Sequence, residues 1–119
     1  MKLINSLSDL FDVVINSVGN EWVYANRDAW AKCPEGCVFY VIPESEIDDM
    51  PDDEVYESEG GSCLPINLQH LDLWPWMEIS NLQGVIENLR MMNREVFDVD
   101  MFIKGINYYR ENDDFMEPA

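Results

Sequence analysis

The sequence predicts a single α+β domain spanning residues 1–119, with an N-terminal helix, a small antiparallel sheet and two C-terminal helices. Three observations lead there. Apolar residues recur at helical spacing once near the start of the chain and twice near its end. Between them lies a continuous β-branched and aromatic run, CVFYVI, at residues 37–42. The length of 119 residues is that of one domain, and an apolar fraction of 47% is sufficient for a core. A helix, then strands, then helices is the order of an α+β fold rather than of repeated βαβ units.

The elements follow in order. Leu7, Leu10, Phe11, Val14, Ile15 and Val18 form one helical stripe, with Ser6 as N-cap, Asp9 at the third position and Gly19 as the stop. Residues 21–25 (EWVYA) read as a short strand and residues 27–32 as a helical turn, followed by a turn at Pro34 and Gly36. The run 37–42 reads as a buried strand ended by Pro43. Residues 43–61, PESEIDDMPDDEVYESEGG, read as a loop leaving the sheet, with a short strand at 54–57. Residues 64–73 read as an edge strand or irregular chain. Ser80-Asn81-Leu82-Gln83 matches a capping box, and Leu82, Val85, Ile86, Leu89 and Met92 continue at helical spacing towards an end at Asn93. Asp98 is the expected cap of a last helix that turns Met101 or Phe102, Ile103, Ile106 and Tyr109 inward. The acidic tail ENDDFMEPA is expected to fray. There are no internal repeats and no linker.

Charge separates the function classes. The chain has 24 Asp and Glu against 7 Lys and Arg, a net charge of −17. Nucleic acid and anionic membrane surfaces are repelled by such a field, and a basic protein is attracted and steered. The basic residues are Lys2, Arg27, Lys32, Arg90, Arg94, Lys104 and Arg110, with none at positions 33–89. Nine acids crowd one segment: Glu44, Glu46, Asp48, Asp49, Asp52, Asp53, Glu54, Glu57 and Glu59. A solvated loop is the ordinary reading of such a run. Here Ile47, Met50, Val55 and Tyr56 are interleaved with the acids, and apolar side chains of this kind anchor contacts that charges only steer. The nine acids together with Tyr56 are therefore the predicted partner-binding residues. The start, MKLINSLSDLF, lacks the apolar run of a signal peptide, and no stretch approaches the ~20 apolar residues of a membrane span. The expected location is cytoplasmic.

Catalytic and metal motifs are poorly matched. Cys33, Cys37, Cys63 and His70 have the ligand count of a zinc site, but C-x3-C with these intervals is the spacing of no common finger. An EF-hand starting at Asp48 would place Met50 at the third position and Asp53 where glycine is needed. A Cys–His pair is available through His70, yet there is no nucleophile elbow, zincin motif or phosphate loop. The expectation is a protein without catalytic residues, metal or cofactor. Trp74-Pro75-Trp76 is expected to give one ring to the core, with the other left open between core and recognition surface.

A small, very acidic α+β chain with the acidic run 44–59, and no basic residue at 33–89, resembles the immunity proteins of bacterial contact-dependent growth inhibition and other polymorphic toxin systems. The likeness is one of type across the whole chain, and no residue is carried over by position. It implies a toxin–antitoxin pairing: a basic toxin domain, commonly a nuclease, is neutralised by an acidic surface laid over its active site, without direct contact to nucleic acid. A nuclease inhibitor of this kind works because carboxylates stand in for the phosphates that the toxin's site holds. A DNA mimic that blocks a nucleic-acid-binding protein is the second reading. It requires carboxylates spread along an elongated face at about 7 Å or less. A small metal-binding protein or enzyme is the third. Monomer and dimer are both left open.

Overall fold

The computed structural model describes residues 2–58, 63–92 and 98–114. The elements, in order, are β1 (Lys2–Ile4), α1 (Leu7–Asn16), β2 (Trp22–Ala25), α2 (Arg27–Lys32), β3 (Phe39–Val41), α3 (Glu44–Asp48), β4 (Val55–Glu57), β5 (Cys63–Pro65), β6 (Trp74–Glu78), α4 (Ile79–Met92) and α5 (Val99–Asn112). Short 3-10 turns at Pro34–Gly36, Asp52–Glu54 and Ile66–Leu71 join them. The α+β expectation holds, with one strand, β1, ahead of the first helix.

Four strands form an antiparallel sheet in the order β1-β3-β2-β6, and β4 pairs β5 in a separate two-stranded sheet. Alternation along β2 and β3 divides the side chains between two faces. Val23, Ala25, Phe39 and Val41 join the main core, and Tyr24, Tyr40 and Ile42 join a second cluster. The register makes this consistent across strands, since Val23 faces Val41, Tyr24 faces Tyr40 and Ala25 faces Phe39. In β6 the pairing shifts by one residue between Val23↔Met77 and Tyr24↔Pro75, so Trp76 is the extra residue of a bulge. The bulge lets Trp76 and Met77 both enter the main core.

That core lies between the sheet and the helices. Leu7, Leu10 and Val14 from α1, Leu82, Val85 and Ile86 from α4, and Phe102 and Ile106 from α5 are all buried in it. Each such side chain contributes about 1.5–3 kcal/mol over an exposed one. The second cluster, on the opposite face of the sheet, holds Leu64, Leu68 and Leu73 beside Tyr24 and Ile42.

The helix ends show where local reading succeeds. Ser6 caps α1 by accepting from the Asp9 N–H at 3.1 Å, and Asp98 caps α5 by accepting from the N–H groups of Asp100 and Met101 at 2.9 and 3.2 Å. Phe102 and Ile106 turn inward on α5 as expected, and Met101, Ile103 and Tyr109 are half-buried.

Two helix ends differ from expectation. α1 stops at Asn16 rather than near Gly19, and Val18 is fully exposed instead of completing the stripe. The last carbonyls are taken by side chains: Asn16 donates to the Asp12 oxygen at 2.7 Å, Ser17 to the Val13 oxygen at 2.6 Å, and Gln83 to the Val14 and Ser17 oxygens at 3.1 Å each. Ser80 lies inside α4 rather than ahead of it, so the capping box at 80–83 does not form. Asn20 replaces it, accepting from the Ser80 N–H at 3.0 Å while the Ile79 N–H bonds the Glu21 oxygen at 2.9 Å. The expected stop at Asn93, the glycines Gly60 and Gly61, and the last five residues of the tail lie outside the described residues.

Candidate functional site

The acidic run is folded, which corrects the expectation of a loop. Pro43 sets the chain at the start of α3, and the Glu46 N–H bonds the Pro43 oxygen at 3.0 Å. The Asp49 N–H reaches the Ser45 oxygen at 3.2 Å, and the Met50 N–H the Ile47 oxygen at 3.1 Å. Pro51 then starts a 3-10 turn closed by the Glu54 N–H at 2.9 Å. β4 follows within the predicted strand 54–57, held against β5 through Val55↔Pro65, Tyr56↔Leu64 and Glu57↔Cys63.

This local structure sorts the residues. Ile47 and Tyr56 are half-buried against the second cluster, and Met50 and Val55 are half-buried as well. Glu44, Glu46, Asp48, Asp49, Asp52, Asp53, Glu54 and Glu57 are all exposed. Glu59 lies outside the described residues. Ile47 and Tyr56, expected as anchors for a partner, spend part of their apolar surface inside the protein. They hold the carboxylates on a fixed frame. Glu44 and Glu46 lie in the first turn of α3, where helix dipoles favour acids, whereas Asp48 and Asp49 sit at its unfavoured end.

One further acid comes near Tyr56 through tertiary structure. The Ile66–Leu71 turn ends at Asp72, which takes a left-handed φ of 48° that Asp tolerates better than most residues. Burial pushes the Tyr56 phenol above its ordinary pKa, and the Asp72 carboxylate pushes it in the same direction. Asp72 thus stands near Tyr56. A single acid between two leucines carries no sequence signal for that placement.

The sequence-predicted metal candidates are dispersed in character. Cys33, Cys63 and His70 are exposed and Cys37 is buried. Among the described residues, no three His, Cys, Asp or Glu are grouped to hold a metal ion. Burial raises the Cys37 thiol to about 11, against a weak hydrogen bond to the Val38 oxygen and with added repulsion from Cys33. A thiol held protonated is a poor nucleophile.

An open groove of about 740 Å³ lies beside the end of α1, with Lys2, Asp12, Val18, Glu21 and Pro43 in its wall. Among the described residues its lining has neither Cys nor His.

The tryptophan question is settled by position. Trp76 is 5% exposed and packs on Trp30 and Phe39 with ring centroids 4.8 and 4.9 Å away. Trp74 is half-buried and carries the Arg27 guanidinium 3.6 Å above its ring. Among the described residues no helix is long and apolar enough to cross a membrane. Comparison with protein-family models, with curated proteins and with solved structures gives no match.

Proposed function

We propose that the chain is an immunity-type binding protein of the cytoplasm that captures a basic toxin domain on the acidic face built by α3, the Asp52–Glu54 turn and β4. A nuclease is the toxin class that the charge fits. The observation that carries this reading is the division of residues 44–57: eight exposed carboxylates outward, with Ile47 and Tyr56 packed inward. A nuclease site is positively charged because it binds phosphates, and a fixed set of carboxylates occupies it in their place. Close interfacial charge pairs contribute on the order of 1.5–7 kcal/mol of coupling, and the acidic field speeds encounter. A folded face also loses less conformational entropy on binding than a mobile loop does. The crowding of the exposed acids into one chain segment, residues 44–57, favours this reading over a DNA mimic, which needs carboxylates drawn out along a duplex-like path.

The test compares the parent with a variant in which Asp48, Asp49, Asp52 and Asp53 are replaced by Asn. Each is used to capture the basic partner from the source cell and to protect cells that express the partner. The variant is expected to associate more slowly, with a flatter dependence on salt, and to protect poorly. Equal capture and equal protection by the variant would show that the acidic face is only a solvated surface.

A further inference from the structure

The protein gathers two of its seven Lys and Arg residues at one place and surrounds them with aromatic rings. Arg27 comes from α2 and Arg110 from α5, 83 positions apart in the chain. The Arg27 Cζ lies 3.6 Å over the Trp74 ring, and the Arg110 Cζ lies 5.8 Å from the centre of the Trp76 ring. Both rings belong to β6. The two helices are tied together by the Trp30 Nε1–H, which donates to the Asn107 Oδ1 at 2.8 Å. Arg27 stands one helical turn from Trp30, and Arg110 one turn from Asn107, so each arginine shares a helix face with one end of this tie.

In a chain with 24 acids, each guanidinium would be expected to find a carboxylate. Among the described residues neither of these two has an ion-pair partner. Arg110 instead has its pKa lowered by desolvation and by the charge of Arg27. Other donors accompany the pair. Asn107 uses its oxygen on Trp30, which leaves its NH2 group for an acceptor, and the buried Trp76 Nε1 has no acceptor among the described residues. Two like charges thus lie together against the rings of β6. Both arginines are exposed, so an anion from solution reaches them.

We propose that Arg27 and Arg110, over Trp74 and Trp76, form a binding site for a small oxyanion, a carboxylate or phosphate group. Two guanidiniums that repel each other are both relieved by one bound oxyanion, and the planar fork of Arg matches either group. The stacking of Arg27 on Trp74 fixes the fork before binding. The chain's net charge of −17 opposes multiply charged ligands, which makes the site one for a single anionic group.

The experiment is a titration of the whole protein with inorganic phosphate and, separately, with acetate, each against sodium chloride at matched ionic strength. The tryptophan indole N–H resonances and the thermal midpoint are the readouts. A saturable shift of the Trp74 or Trp76 indole resonance is expected, with a rise in the midpoint beyond that in chloride. Arg27→Gln, at an exposed position, is expected to weaken binding at least tenfold while keeping the parent's far-UV spectrum, and Arg110→Gln is expected to do the same. Preference for phosphate or for acetate assigns the ligand as tetrahedral or planar. Equal shifts in chloride, or shifts that survive Arg27→Gln unchanged, would overturn the site.

Discussion

The side-chain oxygen of Asn20 accepts a hydrogen bond of 3.0 Å from the backbone N–H of Ser80, across 60 positions of sequence. The same side chain donates from Nδ2 to the Glu78 Oε2 at 2.7 Å. α4 is thus started by a residue of the segment between α1 and β2, not by its own Ser80. Replacing Asn20 by Ala is expected to cost about 1 kcal/mol, the usual loss of an N-cap, and Ser80→Ala is expected to stay within about 0.5 kcal/mol. Urea unfolding of the two variants separates the alternatives. A larger loss for Ser80→Ala would restore the local capping box.

Tyr56 and Ile47 join the acidic segment to the second cluster, so each is expected to matter for stability as well as for the face they support. Tyr56→Ala and Ile47→Ala should each destabilise by about 1–3 kcal/mol, less than the full cost of emptying a core site because both are only half-buried. Chemical denaturation measures this directly. A loss below about 0.5 kcal/mol for both would mean that the segment is not packed as described.

The exposed acids should act in the opposite direction. With no Lys or Arg at positions 33–89, their mutual repulsion opposes the folded state. Added salt is expected to raise the thermal midpoint of the parent, since screening at about 0.15 M acts over roughly 8 Å. The variant with Asn at 48, 49, 52 and 53 should melt higher at low salt and respond less to salt. A parent midpoint that falls with moderate sodium chloride would show that favourable charge pairs dominate instead.

The cysteines should react in two classes. Cys33 and Cys63 are exposed and are expected to be labelled by a thiol reagent in the folded state, and Cys37 only on unfolding. The folded Cys37 thiol titrates at about 11 against a reference of 9.0, so the folded state holds that proton more tightly than the unfolded chain does. Stability therefore falls as pH rises from about 9 towards 11, by on the order of 2–3 kcal/mol for this group. Cys37→Ala should flatten that slope, whatever its effect at neutral pH. Unchanged slopes in the parent and the variant would remove Cys37 as the cause.

Gly105 is where α5 approaches α4 closely. A Cβ there would meet the Val85 Cγ1 at 3.0 Å and the Leu89 Cδ1 at 3.4 Å. Gly105→Ala gains roughly 1 kcal/mol of helix propensity and loses about 1–3 kcal/mol to overpacking. The net expectation is a loss of about 1 kcal/mol in denaturant unfolding, and a net gain would mean that the helices yield at this contact.

The helices α1, α4 and α5, the strands β2 and β3 and the caps Ser6 and Asp98 were legible because each rests on residues near in sequence: an apolar period, a β-branched run, an oxygen three places before the N–H it accepts from. β1 was missed because three residues of edge strand have no period to read. β6 was missed because Pro75 and the bulge at Trp76 break its alternation. The acids of the candidate face were legible as a group, since charge density is itself a sequence property. Their folded form was not legible, because it depends on Ile47 and Tyr56 finding Leu64 and Leu68 across the back of the sheet.

Sequence by itself determined the class of fold, the size of the core and the strong negative field, for these follow from composition and short-range pattern. Tertiary structure alone decided that Asn20 starts α4, that Gln83 ends α1, that Asp72 lies by Tyr56, and that Arg110 stands in the field of Arg27. Each of these pairs polar groups that are far apart in the chain, and they meet only after the apolar faces of the sheet and helices have packed and fixed where every remaining donor, acceptor and charge must stand.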